Sequence, residues 1–142
     1  MKKIVFALAA ILTINMFGVE VSDKLLDAIA MVESKNNANA KGDWSKKEKC
    51  YRAIGSYQLW KVYVDDVNRI SKKSFSYDDR KDSKKSREIV KLYLEHYGRA
   101  YERKTGKTAS DEILARIHNG GPKGYSKDST KKYWEKVKQE IK

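Results

Sequence analysis

Ser110-Asp111-Glu112-Ile113-Leu114-Ala115-Arg116-Ile117-His118-Asn119-Gly120-Gly121 is the stretch that decides the fold. A serine followed by two acids opens a helix, because the hydroxyl caps a free backbone N–H and the carboxylates oppose the helix dipole. Ile113, Leu114 and Ile117 then recur at helical spacing. Gly120 and Gly121 stop the helix. The stretch reads as a short amphipathic helix that ends in a tight polar turn bearing His118 and Asn119.

The rest of the chain repeats the pattern. Ser22 and Asp23 open a helix carrying Leu25, Leu26, Ile29 and Val32, with Glu33 at its end. A second segment follows Gly55, with Trp60, Tyr63, Val64, Val67 and Ile70 on one stripe. A third runs from about Ser83 to Arg103 and puts Ile89, Val90, Tyr93, Tyr97 and Tyr101 on one side. A fifth starts at Ser129 with Tyr133, Trp134, Val137 and Ile141. No segment sustains strand alternation, and residues 35–52 read as a loop or a short hairpin. The polar run Ser71 to Lys85 reads as a loop. The fold class expected is mainly α, one domain of about five helices.

Composition bounds the function. A chain of 142 residues suits one domain. One Cys excludes a disulfide scaffold and a zinc–thiolate site, and two His provide no metal cluster, so no cofactor is expected. Cys50 reads as a half-buried apolar residue rather than a catalytic thiol. With 31 Lys and Arg against 19 Asp and Glu, the formal charge is +12, which attracts nucleic acid, anionic lipid or anionic wall polymer. Compartment chooses among these. Lys2 and Lys3 precede an apolar run from Ile4 to Phe17, and the chain turns polar at Glu20. That is the pattern of a secretory signal peptide over residues 1–18, although an uncleaved anchor stays open. The domain then spans 19–142, in the periplasm or outside the cell. Export disfavours nucleic acid, for which no binding motif is present, and favours the cell wall. The expected state is a monomer with no membrane span after cleavage.

Glu33 sits one turn after Ile29 and two after Leu26. A carboxylate at the edge of an apolar stripe is partly desolvated, the setting a general acid for glycosidic cleavage needs. An exposed glutamate at a helix end has the same spacing.

Three blocks in order separate these readings: Glu33-Ser34 at a helix end, Gly55-Ser56-Tyr57-Gln58, and His118-Asn119-Gly120-Gly121-Pro122 ahead of Thr130, Tyr133 and Trp134. Together they resemble the lysozyme-like superfamily of lysozymes and lytic transglycosylases, and most of all the invertebrate-type (destabilase-type) lysozymes and their bacterial relatives. The resemblance runs from about Leu25 to Val137. It implies a lysozyme-like α domain, Glu33 as the catalytic acid, and a helix starting at the Gly55 block. It implies substrate-binding roles for Gly55, Tyr57, Gln58, His118, Asn119, Gly120 and Tyr133, with Gly55 allowing a sugar to approach closely. Invertebrate-type lysozymes are rich in disulfides, so this chain resembles the bacterial branch. The family also places an aspartate before the Gly55 block. Asp43, after Gly42, is the preferred match, with Glu48 and Asp79 as alternatives.

The expected activity is cleavage of the β-1,4 bond between MurNAc and GlcNAc in peptidoglycan strands. Retaining hydrolysis needs two carboxyls about 5–5.5 Å apart and inverting hydrolysis about 6.5–9.5 Å. Without a second carboxylate in reach, the substrate's own N-acetyl group or its 6-hydroxyl assists, and the latter leaves a 1,6-anhydro end, as the transglycosylase resemblance implies. An inactive wall-binding relative and a membrane-permeabilising cation are competing readings.

Overall fold

The computed structural model describes residues 18–141, so residues 1–17 of the expected leader lie outside the described residues. Helix α1 spans Asp23–Ser34 and leads into a hairpin of β1, Lys41–Ser45, and β2, Cys50–Ile54. Helices α2 (Lys61–Ser71), α3 (Ser83–Thr105), α4 (Asp111–Gly120) and α5 (Lys131–Glu140) follow. Short 3-10 turns occupy Tyr77–Lys81, Gly124–Ser126 and Asp128–Thr130.

The helix ends follow from local chemistry. Ser22 accepts a hydrogen bond from the Leu25 N–H at 3.1 Å, and Ser110 accepts from Ile113 at 3.4 Å. Asp82 caps α3 by accepting from Lys84 and Lys85. Beyond α4, the Gly121 N–H returns to the Ile117 carbonyl. The apolar stripes converge on one core in which Leu25, Leu26 and Ile29 of α1 are fully buried. Val64 and Val67 of α2, Ile89, Val90 and Leu94 of α3, Leu114 and Ile117 of α4, and Val137 of α5 complete it. Val19 and Val21, ahead of α1, are also buried. Val19 packs on Gly98 of α3, where an added Cβ would come within 2.9 Å of it.

The hairpin is antiparallel, with Gly42 opposite Ala53 and Trp44 opposite Tyr51. It occupies the region read as a loop or hairpin. The Gly55 block differs from expectation: it is a tight turn, closed by an Ile54–Leu59 bridge, and α2 begins only at Lys61. Gly55 and Gln58 both take positive φ, +82° and +49°, which a helix start cannot accommodate. Gly55 also has a different physical reason from the one expected. A Cβ there would lie 1.8 Å from the Arg80 carbonyl oxygen, so the glycine lets two protein backbones touch rather than admitting a sugar.

The run read as a loop from Ser71 to Lys85 contains a 3-10 turn built around a buried arginine. Arg80 is 7% exposed and donates to the carbonyls of Tyr77, Arg52 and Leu59. Asn68 closes the same connection by bonding both backbone groups of Phe75. Helix α5 starts two residues later than the sequence suggested, after the 3-10 turn Asp128–Thr130.

Gly55→Ala is expected to lose at least about 2 kcal/mol, because a positive-φ strain adds to a backbone clash. Urea unfolding of the two proteins measures it. Asp79 sets an acid limit. Its carboxyl is held below its ordinary value of 3.8, first by the Lys85 ammonium bonded to it and next by the Ser76 N–H. A group with a depressed folded pKa contributes above its unfolded value and loses that contribution as pH falls through the folded one. Thermal melts should show Tm falling as pH drops below 3.8, and Asp79→Asn should show a lower neutral-pH Tm with a shallower acid decline.

Candidate active site

Glu33 is placed by the way α1 ends. Lys35 takes the left-handed conformation and its N–H closes the helix. The next fastening is Ser34, whose hydroxyl donates to the Ser56 carbonyl at 2.8 Å and accepts from the Asn37 N–H at 2.9 Å. The helix end is thereby pinned to the Gly55 turn, and the Glu33 side chain is left 20% exposed.

Two groups converge on one oxygen of that carboxyl. Tyr133, from α5, donates its hydroxyl to Glu33 Oε1 at 2.8 Å. His118, from α4, brings Nε2 to 3.5 Å from the same oxygen, longer than a hydrogen bond but close enough for electrostatic contact. Among the described residues nothing bonds Oε2. The other His118 nitrogen, Nδ1, lies 3.2 Å from the Tyr63 hydroxyl of α2. Burial holds the Tyr63 and Tyr133 phenols well above their ordinary value, so both stay protonated. Tyr63 thereby sets the orientation of the ring whose Nε2 faces Glu33.

These groups open onto a cleft of about 840 Å³ between the hairpin and the helices. Asp43, Gln58, His118 and Asn119 line it with Glu33. Glu48 and Asp79 do not: Glu48 pairs with Arg52 on the outer hairpin, and Asp79 is spent on Lys85 and Ser76. Asp43 is half-exposed, with an oxygen 3.8 Å from Arg52. Asp43 and Gln58 both hold positive φ, so two residues of the cleft wall sit in strained backbone. Gln58 steadies its turn by donating its side-chain amide to the Gly55 carbonyl at 3.0 Å.

The remaining residues fall elsewhere. Tyr57 contributes to the lining, yet it is 3% exposed and its hydroxyl accepts from Arg87 of α3. Its phenol is held by the α1–α3 contact and leaves little surface for a substrate. Gly55 is outside the lining, for the reason given above. Gly120 is too: an added Cβ would meet the Thr130 methyl at 2.6 Å, so it seats α4 against the turn before α5. Gly121 and Pro122 line the cleft in its place.

Sequence reasoning missed three positioning groups. Tyr63 counted only as part of an apolar stripe, and nothing local marks its hydroxyl as a partner of His118. Arg80 stood in a polar run. Arg116, 8% exposed, bonds the Thr130 hydroxyl and the Lys127 carbonyl, and so sets where α5 starts and where Tyr133 arrives. Its place in the quoted helix, on the face of Ile113 and Ile117's turn, was the one available hint. Among the described residues no three of His, Cys, Asp and Glu are grouped to hold a metal ion.

Known proteins share this arrangement of elements. The Destabilase family profile matches residues 22–140. A lysozyme of the oyster Ostrea edulis is 36% identical over 88 residues, 62% of this chain and 60% of that protein. A lysozyme of Magallana gigas is 50% identical over 44 residues, 31% of this chain and 32% of its own length. The aligned stretches thus span well under the full length of these curated relatives. A chain in the crystal structure of Aeromonas hydrophila PliI in complex with Meretrix lusoria lysozyme superposes with a TM-score of 0.68 at 27% identity, over 86% of this chain and 92% of that one. A chain of inhibitor-bound Meretrix lusoria lysozyme gives a TM-score of 0.62 at the same identity and coverage. A profile that runs from the cap of α1 to the end of α5, together with these superpositions, means that the chain belongs to the Destabilase family and has the lysozyme-like fold.

Proposed function

We propose that this protein is an exported muramidase that cleaves the β-1,4 bond between MurNAc and GlcNAc, with Glu33 as general acid. The observation that carries the reading is the Glu33 carboxyl. Oε1 is held by Tyr133 at 2.8 Å, while Oε2 has no protein partner among the described residues and the residue lines a glycan-sized cleft. A proton on Oε2 passes to the glycosidic oxygen as the bond to C1 breaks. The leaving GlcNAc 4-oxygen becomes a hydroxyl, and positive charge builds on the MurNAc ring. Asp43, on the hairpin side of the cleft, is the carboxylate that supports this charge or activates the water that adds to C1. Gln58 and Asn119 are the polar groups that orient the strand.

A second reading has one observation behind it. The Arg52 guanidinium lies 3.8 Å from an Asp43 oxygen and engages it in an ion pair. If Asp43 is thereby unavailable, the MurNAc 6-oxygen closes on C1, the Glu33 carboxylate left by the first step takes the 6-hydroxyl proton, and the product carries a 1,6-anhydro end. Export is supported by the Lys2 to Phe17 pattern, and no described helix is long and apolar enough to cross a membrane. The lysozyme of the second structural neighbour is inhibitor-bound, which makes an inhibitor a candidate partner of this protein as well.

Glu33→Gln keeps the shape of the side chain but cannot supply a proton. It is expected to melt like the parent and to lose at least about a hundredfold in turnover of purified peptidoglycan. A variant that folds and still clears peptidoglycan at the parent's rate sinks the proposal. Mass analysis of the digest separates the two chemistries: reducing MurNAc ends mean hydrolysis, and anhydro ends mean internal attack. Asp43→Asn should slow release of reducing ends at least about a hundredfold, and Glu48→Gln by less than about threefold. The reverse ranking would move the second carboxylate to Glu48.

A further inference from the structure

The hairpin carries a surface that the cleft does not use. Trp44 and Tyr51 face each other across the two strands, with ring centroids 4.9 Å apart in an edge-to-face arrangement. Trp44 is 52% exposed and Tyr51 44%. Neither lines the cleft. Cross-strand aromatic pairs stabilise hairpins, but that does not require two large rings to stay open to water.

The turn joining the strands holds Lys46, Lys47, Glu48 and Lys49. All four are exposed. Glu48 is committed to Arg52 at 3.1 Å, while none of the three lysines has an ion-pair partner among the described residues. The tip is shaped beforehand: the Ser45 hydroxyl accepts from the Glu48 N–H at 3.1 Å and from Arg52 at 3.0 Å. A fixed aromatic pair therefore stands beside three uncompensated positive charges.

The surface is coupled to the cleft through its neighbours in the strands. Asp43, next to Trp44, lines the cleft. Arg52, next to Tyr51, lies 5.3 Å over the ring of Trp60, which also lines the cleft and is 43% exposed.

We infer that the Trp44–Tyr51 pair and the Lys46, Lys47 and Lys49 side chains form a second binding site, outside the cleft, for an anionic polysaccharide strand. Rings of this kind stack on the C–H faces of sugars, and lysines meet the carboxylates that such a strand carries along its length. The natural occupant is the peptidoglycan strand of the proposed reaction, so this inference rests on that reading for its ligand. Binding there would hold the insoluble polymer beside the hairpin wall that bears Asp43.

The test is co-sedimentation with purified, protein-free peptidoglycan sacculi, using full-length protein with Glu33→Gln so that the polymer is not consumed. Trp44→Ala combined with Tyr51→Ala should lower wall affinity about tenfold or more, as expected for loss of two aromatic anchors. Changing Lys46, Lys47 and Lys49 to Ser should weaken binding at low salt and flatten its salt dependence, since screening acts on exposed charge. Trp44→Val with Tyr51→Thr keeps strand-forming residues while removing the flat rings. It should lose affinity like the alanine pair, which covers the case in which the alanine pair disturbs the hairpin. Affinity within twofold of the parent's in the Val/Thr and Ser variants would overturn the site. So would ring-dependent binding to vesicles of phosphatidylcholine and phosphatidylglycerol with no ring-dependent binding to sacculi, which would make the surface a membrane contact. The chain with Glu33 intact is assayed alongside for fragment release. Ring-dependent binding without fragments leaves the site standing and removes the muramidase reading, and fragments with ring-independent binding do the opposite.

Discussion

The hydrogen bond from Tyr133 to Glu33 joins the last helix to the first, and the rest of the site depends on it. Both partners are withdrawn from water, so an unmade bond would leave a buried phenol without an acceptor. Making it requires α1 and α5 to pack side by side and the turn before α5 to end at one place. Arg116 provides that place by bonding Thr130 and the Lys127 carbonyl, while Gly124 lets the turn lie directly on the Arg116 carbonyl. Tyr63 and His118 complete the support from α2 and α4. Four helices thus meet around one carboxyl, and one of its oxygens is left for the cleft.

The opposite wall rests on a different kind of contact. A guanidinium buried without a carboxylate is costly unless its donors are all used. Arg80 uses Nε and Nη1 on three backbone carbonyls, two of which belong to β2 and to the turn after it. Its own carbonyl fills the space where Gly55 lacks a Cβ. Side chain and backbone of one residue therefore hold the hairpin and the Gly55 turn at a set distance from the helices. The strained backbone of Asp43 and Gln58 is sustained by that frame, because each would relax if the turn could move.

Charge is divided between the two surfaces of the hairpin. The side toward the cleft carries Asp43, paired with Arg52, and the tip carries three lysines with no ion-pair partner among the described residues. A body with a formal charge of +12 thus brings the carboxylates of Glu33, Asp43, Asp65 and Asp66 to its cleft, beside Arg69. This arrangement lets a polyanionic polymer be attracted at long range without the reacting centre itself becoming basic.

The sequence by itself determined the helices, because caps and apolar periodicity are local. Ser22, Ser110 and the stripes through Leu26, Val67 and Leu114 needed no knowledge of their partners. It also located Glu33 at a helix end, and the resemblance to lysozyme-like proteins grouped it with the Gly55 and His118 blocks. Tertiary structure decided what each group faces. Gly55 looked like an opening for a sugar and is a seat for the Arg80 carbonyl. Tyr57 looked like a cleft residue and is held by Arg87. Arg80 stood in a run read as a loop and is buried. Asp43 was preferred to Glu48 and Asp79 only on its place after Gly42; in the fold β1 carries it to the cleft while Arg52, and Lys85 with Ser76, engage the others. In each case the deciding partner is distant in sequence or set by a backbone angle, and neither leaves a periodic trace that a reading of the chain could use.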